Sequence, residues 1–352
     1  MRIKIPILVV LALLLAGAPA FGDEGRGGLS RFTYNPAGNG YPLVDQSSFQ
    51  LAQTSSGAGN QKTSSAPAEP SMAEIANKAN NPLSDVWLLL MQNDTTLFGG
   101  DLVKGTKVLN SFKIQPVMPI PVFDQKWNLI FRPIINIVSV PLDKDVGNLF
   151  GASQGQIVAN PGLAAIAGNP FGRTSGLGDS VLLTLLGPNT DDGWVWGGGV
   201  SHIFPTATED VLGQEKWQVG PSALLVRLGK EHGGLGIENW NFGILPQQFW
   251  SYAGDSDRPE TSQMDIQYFI NWKLNATQLI GMTPNIRINW RADGGEKLSF
   301  PIGLGTIGMF KVGRLPIRWG VEVQYNVVQP DDVAPEWNFK VFLAPIILNP
   351  FK

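Results

Sequence analysis

From Leu83 onward, apolar and polar residues alternate at every second position through most of the sequence. A β-strand points successive side chains to opposite faces, so a period of two predicts strands with one apolar and one polar face. The clearest run spans 263–275, where Phe269 alone interrupts the polar face. Its apolar positions are Met264, Ile266, Tyr268, Ile270, Trp272 and Leu274.

The alternating runs are longer than the strands of most soluble sheets. Many extend over roughly 10–14 residues, whereas soluble strands average about 5–6 and a tilted membrane-crossing strand needs about 9–11. About twelve such runs follow one another, near 84–93, 107–118, 126–140, 178–187, 194–205, 216–228, 235–250, 262–275, 278–291, 297–308, 315–328 and 336–348. We therefore expect an all-β fold, a transmembrane antiparallel up-and-down β-barrel.

The connections between the runs differ according to their parity. Those after the even-numbered runs are short, as at 123–125 and 276–277, and those after the odd-numbered runs are mostly longer and polar, as at 141–177. Outer-membrane barrels have short periplasmic turns, longer outer loops and an even strand number. A soluble β-sandwich also has alternating strands, but it gives no reason for this parity.

Tryptophans mark the ends of several runs, which favours an aromatic girdle at each membrane interface. These are Trp127, Trp194, Trp217, Trp250, Trp290 and Trp337. Prolines inside the runs argue against uninterrupted ladders, because each removes a hydrogen-bond donor. They predict bulges or kinks at Pro116, Pro119, Pro133, Pro221, Pro246, Pro284, Pro301 and Pro345.

The sequence before the barrel divides into three segments. Residues 1–20 combine Arg2 and Lys4, an apolar stretch and an Ala18-Pro19-Ala20 site, which together predict a signal peptide. Residues 21–70 form an arm in which Gly, Ser, Pro and Gln fill 23 of 50 positions, a composition typical of disorder. A short periplasmic helix is expected over 71–82, and the barrel over 83–352. Sec-type export to the outer membrane of a Gram-negative bacterium follows from this order.

Composition excludes several classes of function. The chain has 0 cysteines, which removes disulfides, thiolate metal sites and cysteine nucleophiles. Its net charge of −3 and the lack of a basic run give no support for nucleic-acid binding. Neither a phosphate-binding loop nor a dinucleotide motif occurs, so we predict no cofactor and no resident metal.

Two groups of residues are candidates for hydrolysis or for metal binding. Ser201 precedes His202 in a predicted strand, but neighbours in a strand point to opposite faces and cannot pair directly. Acidic pairs occupy predicted outer loops at 209–210, 255–257 and 331–332, where they could bind divalent cations beside anionic lipid headgroups or simply be solvated. The sequence therefore predicts a protein that is not an enzyme.

Several short motifs resemble a bacterial outer-membrane family that is often labelled "neuromedin U", which is related to phenol-degradation meta-pathway and transporter-like proteins. The likeness extends from about residue 71 to the C-terminus, and it implies an outer-membrane β-barrel without specifying a substrate. The motifs are Asn81-Pro82 with Asp85, Leu177-Gly178-Asp179, Phe204-Pro205-Thr206-Ala207-Thr208 with Lys216-Trp217, Ser251-Tyr252-Ala253-Gly254-Asp255, and Pro335-Glu336-Trp337.

We expect a channel or transporter-like pore for small solutes. If apolar positions face outward, the candidate pore-lining residues are Lys113, Arg132, Asp265, Lys273, Arg287, Arg291, Arg318, Glu322 and Lys340, with Glu336 as a further acid. The excess of positive charge predicts anion preference. The alternatives are a closed structural or surface-interaction barrel and a barrel-borne lipid hydrolase. The expected partners are outer-membrane lipid and lipopolysaccharide, the barrel-assembly machinery and an unidentified small solute.

Overall fold

The computed structural model describes residues 71–348, apart from 82, 85, 102, 104, 150, 151, 153 and 190–192. The predicted signal peptide and arm lie outside the described residues. Strands dominate the described part of the chain, and none of its helices is long and apolar enough to cross a membrane.

The strands form one closed antiparallel barrel, which confirms the predicted fold class. β1 pairs with both β2 and β14, so the sheet has no free edge. The strands are β1 Val86–Gly99, β2 Lys107–Val122, β3 Trp127–Val140, β4 Thr174–Leu177, β5 Ser180–Pro188, β6 Trp194–Phe204, β7 Lys216–Arg227, β8 Trp240–Gly254, β9 Ser262–Lys273, β10 Leu279–Met282, β11 Asn285–Asn289, β12 Leu298–Val312, β13 Leu315–Val328 and β14 Ala334–Leu348.

In two places, two consecutive strands together make a single crossing of the barrel wall. β4 and β5 both pair with β3, and β10 and β11 both pair with β9 and β12, so the described strands make twelve crossings. The break between β10 and β11 falls at Thr283-Pro284, one of the predicted proline interruptions. A register shift in the β12–β13 ladder falls at Phe300/Pro301. Of the predicted prolines, only Pro284 and Pro301 thus coincide with a strand break or a register shift, and the sheet stays closed there. The other predicted prolines are paired in their ladders without a register shift, which corrects the predicted bulges at Pro116, Pro119, Pro133, Pro221, Pro246 and Pro345.

Most connections follow the predicted parity, but the one after the sixth run, predicted as a short turn at 229–234, spans 228–239 because the next strand begins only at Trp240. One mouth of the barrel has the tight turns, including 123–126, where Phe123, Asp124 and Gln125 all have positive φ, and 313–314. The other mouth has the longer connections. The longest, 141–173, contains a 3-10 helix at Lys144–Leu149 and the helices α2 (Gln154–Ala159) and α3 (Pro161–Gly168). We call these two ends the turn mouth and the loop mouth.

The alternation along β13 shows which face points outward. Val321, Val323 and Tyr325 are 40–43% exposed, whereas Glu322 and Gln324 are 7% and 5% exposed. The polar side chains thus point into the barrel, and the apolar ones form its outer surface, as the alternation predicted. The outer surface matches the apolar band of a barrel embedded in lipid.

The rule that apolar residues face outward is wrong near the turn mouth, where apolar side chains also fill the interior. The reason is that several strands are apolar on both faces in this region, so the alternation does not identify the outer face. The buried cluster comprises Leu83, Val117, Ile130, Leu183, Leu185, Val195, Leu224, Val226, Leu228, Leu245 and Phe269. Phe269, the exception in its strand, is one of its members.

The predicted N-terminal helix is present as α1 (Met72–Ala79). A reciprocal capping box starts it: Ser71 N donates to Glu74 Oε2 at 2.7 Å, and Glu74 N donates to Ser71 Oγ at 3.2 Å. Eight residues are too few for a stable isolated helix, and the barrel supplies the missing support. Ile75 and Ala79 pack against residues of β1 and β14 at the turn mouth.

Candidate functional site: the barrel lumen

A belt of charged side chains lies inside the barrel between its two mouths. Lys113, Arg132 and Lys340 are 0–1% exposed, and Lys273 and Arg318 are each 4% exposed. Asp265 and Glu322 are also buried on the inner face. The structure therefore brings most of the predicted lumen residues to the interior, although their role in conduction stays a prediction.

Two lysines of the belt, Lys113 and Lys340, are paired with carboxylates. Lys113 Nζ lies 2.7 Å from Asp94 Oδ2, and Lys340 Nζ lies 3.6 Å from Glu322 Oε2. Lys340 also donates to the backbone oxygen of Thr283 at 2.9 Å. Each carboxylate neutralises the charge of its lysine within the lumen. Such pairing is expected, because a buried ion without a partner is strongly destabilising.

Asp94 is an inward-facing acid that the sequence analysis missed. The predicted first strand ended at residue 93, but β1 continues to Gly99 and places Asp94 inside with 1% exposure. Residues 92–96 are all polar and Leu97 and Phe98 are both apolar, so the period of two is lost here and gave no signal that the strand continues.

Arg291 does not lie on the inner wall, which corrects its assignment as a pore-lining candidate. β11 ends at Asn289, and Arg291 N donates to Asn289 Oδ1 at 3.1 Å in a turn that ends the alternation. The Arg291 side chain is 53% exposed and forms an ion pair with Glu260 at 2.5 Å.

Arg287 faces the lumen but is less enclosed than the other inward-facing bases. Its Nε lies 3.7 Å from Asp265 Oδ2, and its side chain is 24% exposed. The other oxygen of Asp265 accepts a hydrogen bond from Asn285 Nδ2 at 2.5 Å. Arg287 and Asn285 are two residues apart on β11, and both point inward.

The turn mouth is closed by the segment that precedes β1. Arg318 donates from inside the barrel to the backbone oxygen of Ala79 at 2.9 Å. Leu83 is fully buried in the apolar cluster of this mouth, and its backbone oxygen accepts a hydrogen bond from Asn128. Lys273 donates to the Gly229 backbone oxygen at 3.2 Å. The end of α1 and the following residues thus occupy the mouth.

A second apolar cluster lies beneath the connections of the loop mouth. Phe98, Leu109 and Val138 contribute from the strands, and Val211 and Leu212 contribute from the 205–215 connection. Ile166 of α3 and Phe171 pack against this cluster. The polar belt therefore lies between two apolar regions.

A buried carboxylate and arginine hold two outer connections together at the loop mouth. Asp179, in the link between β4 and β5, accepts hydrogen bonds from the backbone N–H groups of Ala207 and Gln214 at 3.3 and 2.7 Å. Arg258 donates to the backbone oxygens of Asp210 and Gly213 at 2.7 and 2.5 Å. The sequence analysis quoted Asp179 only within a family motif and did not anticipate its contacts.

Burial shifts the protonation of these groups. Desolvation raises the pKa of Asp179 to about 6, although its two backbone hydrogen bonds and Arg258 act in the opposite direction. Desolvation also raises the pKa of Glu215 to about 7, against the attraction of Arg258, whose Nε lies 3.5 Å from Glu215 Oε2. The Arg258 guanidinium has a lowered pKa because it is buried.

Ser201 and His202 do not form a catalytic pair, as the strand geometry predicted. Ser201 points inward, where its Oγ lies 2.5 Å from Ser222 Oγ and 2.6 Å from Gln247 Oε1. His202 points outward and stacks on Phe204 with ring centroids 6.0 Å apart. The acidic loop residues do not assemble a metal centre either: within the described ranges, no group of three or more His, Cys, Asp or Glu could hold an ion.

Tryptophans surround the outer surface near both mouths, in agreement with the predicted girdles. Near the turn mouth, Trp127 meets Trp196 edge-on with centroids 5.9 Å apart. Near the loop mouth, Phe204 meets Trp217 at 5.7 Å, and Tyr325 meets Trp337 at 4.8 Å. Aromatic residues at two levels of a barrel are typical of a protein that spans a membrane.

Several solved structures align with this chain. A COG4313 outer membrane channel from Pseudomonas putida F1 aligns with a TM-score of 0.51 and 14% identity, over 74% of this chain and 94% of that chain. NanC porin aligns with a TM-score of 0.40 and 11% identity, over 72% of this chain and 98% of that chain. Outer membrane phospholipase A from Escherichia coli aligns with a TM-score of 0.35 and 14% identity, over 80% of this chain and 98% of that chain.

No protein-family model and no curated protein matches the sequence. At 14% identity, the likeness to the Pseudomonas channel concerns the fold. The chain has the fold of an outer-membrane β-barrel.

Proposed function

We propose that this protein is a pore for small polar solutes in the outer membrane of a Gram-negative bacterium. The observation that carries the proposal is the polar, charged belt inside a closed barrel whose outer surface is apolar. A polar interior is typical of barrels that contain a water-filled channel. Sec-type export, barrel-assembly machinery and contact with lipopolysaccharide belong to the same proposal, as does membership of the "neuromedin U" family.

The belt carries a surplus of positive charge, which favours anions. Bases on the inner wall within the strands include Lys113, Arg132, Lys216, Lys273, Arg287, Arg318 and Lys340. Four acids lie there with them, Asp94, Asp265, Glu322 and Glu336. Relative to the set predicted from the sequence, Asp94 adds an acid, Lys216 adds a base and Arg291 is removed, and the bases remain in excess. Basic rings in a narrow, low-dielectric passage attract anions.

The segment from α1 to Leu83 forms the gate of this pore. It closes the turn mouth through the hydrogen bonds of Arg318 with Ala79 and of Asn128 with Leu83 and through the burial of Leu83. It precedes the barrel wall and takes no part in the strand ladders. Its displacement would therefore open the turn mouth without breaking the sheet.

Conductance of the mature protein in planar bilayers tests the proposal. We expect small, intermittent currents from the full chain. A chain that begins at residue 86 should give larger and more continuous currents, because the closing segment is absent. Circular dichroism and heat-modifiable gel mobility confirm that both chains have folded. Folded chains without current in either form would contradict the pore.

A closed structural barrel is the second candidate, and one observation favours it. Lys113 and Lys340 are paired with carboxylates and almost fully buried, so charges that meet across a small lumen can hold it shut. This candidate predicts that the truncated chain remains without conductance. The lipid-hydrolase alternative has no comparable support, because Ser201 and His202 point to opposite faces of the wall.

A further inference from the structure

A polar cavity lies in the loop-mouth half of the lumen, beside Arg287. Five strands that are neighbours around the wall line it: β11, β12, β13, β14 and β1. It contains about 370 Å³ of space between the side chains, part of it open to solvent. Its walls are rich in carboxamides, with Asn285, Asn326 and Asn338 among them, and Pro301 and Pro335 supply its apolar surface.

Of the two charged residues that line this cavity, Asp94 is fully engaged and Arg287 is not. Asp94 accepts hydrogen bonds from Lys113, Gln92 and Asn338 at 2.7, 2.6 and 3.2 Å, so its carboxylate is fully engaged. Arg287 contacts Asp265 only through Nε, at 3.7 Å. Its two terminal nitrogens make no hydrogen bond to the described residues. A guanidinium offers these nitrogens as a fork that fits a carboxylate.

The cavity also contains an unsatisfied acceptor. Asn285 is 4% exposed, and its Oδ1 is buried and makes no hydrogen bond to any described residue, although its Nδ2 donates to Asp265. A buried acceptor without a donor costs about 1–3 kcal/mol, so such groups are usually satisfied by water or a ligand. An acceptor and a guanidinium fork are thus available two residues apart on one strand.

We infer that this cavity is a binding site for a small hydroxycarboxylate, a solute with a carboxylate and an adjacent hydroxyl group. The carboxylate accepts hydrogen bonds from the terminal nitrogens of Arg287, and the hydroxyl donates to Asn285 Oδ1. The prolines contact the short carbon chain. The inference rests on the proposed pore, because it names the class of solute that the lumen holds.

Block of the potassium chloride current in planar bilayers tests the site with matched probes. Lactate, propionate and lactamide share a three-carbon skeleton, but propionate lacks the hydroxyl group and lactamide lacks the charge. We expect lactate to block the wild-type pore more strongly than propionate, and lactamide to have the smallest effect. Arg287→Gln should weaken the lactate block by about tenfold or more, because a charge-assisted fork is lost. Arg291→Gln, the same substitution at the exposed rim, should leave it unchanged.

Asn285→Leu separates the two halves of the site. It should make lactate and propionate equal blockers while the carboxylate contact to Arg287 persists. Equal block of the wild-type pore by all three probes, or an unaltered lactate block in Arg287→Gln, would overturn the site and leave the pore intact.

If no variant conducts, the proposed pore fails and the site is judged by binding alone. Equilibrium dialysis of the detergent-solubilised full chain with isotopically labelled lactate then gives the answer. Binding that Arg287→Gln abolishes and Arg291→Gln preserves would support the site in a closed barrel. Absence of binding to the wild-type chain would refute it.

Discussion

Lys113 Nζ lies 2.7 Å from Asp94 Oδ2 inside the barrel, and the two side chains are 0% and 1% exposed. Lys113 on β2 is directly opposite Gln92 on β1, so Asp94 is its diagonal neighbour, at a distance that a long side chain can bridge. This pair connects the first two strands at the level of the polar belt, where neither ion can reach bulk water.

The buried pair makes each partner costly to remove alone. We expect Lys113→Met to lower the free energy of unfolding by about 3–5 kcal/mol, because Asp94 keeps its charge in a site without a cation. The double variant Lys113→Met/Asp94→Leu should recover much of this loss. Urea unfolding of the barrel in detergent, followed by tryptophan fluorescence, measures both changes. A double variant as unstable as the sum of the single variants would contradict the coupling.

Arginine on the outer surface should be penalised according to depth. Val323→Arg, in the middle part of β13, should cost about 2–4 kcal/mol in lipid because a charge then faces the hydrocarbon core. The control is Val312→Arg beside the 313–314 turn, where the wild-type side chain is 58% exposed and we expect a cost of about 0–1 kcal/mol. Unfolding in liposomes measures the difference. Equal costs at the two depths would mean that this face does not contact the bilayer.

The Asp179 and Glu215 pKa values predict that the loop mouth loses stability with rising pH. Both carboxyls have raised pKa values in the folded protein, to about 6 and about 7. Their protonated forms therefore stabilise the fold at pH values below the unfolded pKa of about 4, and this contribution is lost as pH rises through 6 and 7. Arg258 favours the ionised carboxylates and limits the size of the effect, whereas Asp210 and Asp255 raise the pKa of Glu215 and enlarge it.

Melting temperatures between pH 4 and pH 8 measure this dependence. We expect the wild-type melting temperature to fall between about pH 4 and pH 7 and to level off above that, and Asp179→Asn with Glu215→Gln to flatten the curve. An equal slope in the double variant would assign the pH dependence to other groups.

The strand pattern was predictable from sequence because one polar and one apolar face repeat over so many residues. The observed crossings coincide with the predicted runs to within a few residues at most ends. The turn-mouth interior was not predictable, since a strand such as Ser180–Pro188 has leucines on both faces and gives no signal of orientation. Phe269, an apolar residue on an otherwise polar face, was the one residue whose position indicated that the interior contains apolar side chains.

The lumen residues were predictable only as far as the alternation continued. Lys113, Arg132 and Lys340 were placed correctly because polar and apolar residues alternate on both sides of them. Arg291 was misplaced because an Asx turn at Asn289 ends the strand, and such a turn depends on local hydrogen bonds that periodicity does not report. The contacts of Asp179 join connections about 30 residues apart in the chain, which no local pattern encodes.

Topology in the cell provides a separate test. An even number of crossings places both ends of the barrel on one side, and short turns face the periplasm in outer-membrane barrels. We expect a cysteine introduced at Val158, in the long connection, to react with a membrane-impermeant maleimide on intact cells. A cysteine at Leu235, in the turn-mouth connection, should react only after the outer membrane is permeabilised. Both wild-type side chains are well exposed, at 75% and 89%, so burial cannot explain a difference. The opposite labelling pattern would reverse the orientation.

Ion selectivity should depend on Arg287 and not on Arg291. In a salt gradient, we expect the reversal potential of the wild-type pore to indicate anion preference, because bases exceed acids on the inner wall. Arg287→Glu changes the belt by two charges and should shift the reversal potential towards cations. Arg291→Glu makes the same change outside the strand, where solvent and the neighbouring Glu260 screen it, and should shift the potential much less. Equal shifts would place the conducting path along the rim of the loop mouth, and cation selectivity of the wild-type pore would contradict the assigned charge surplus.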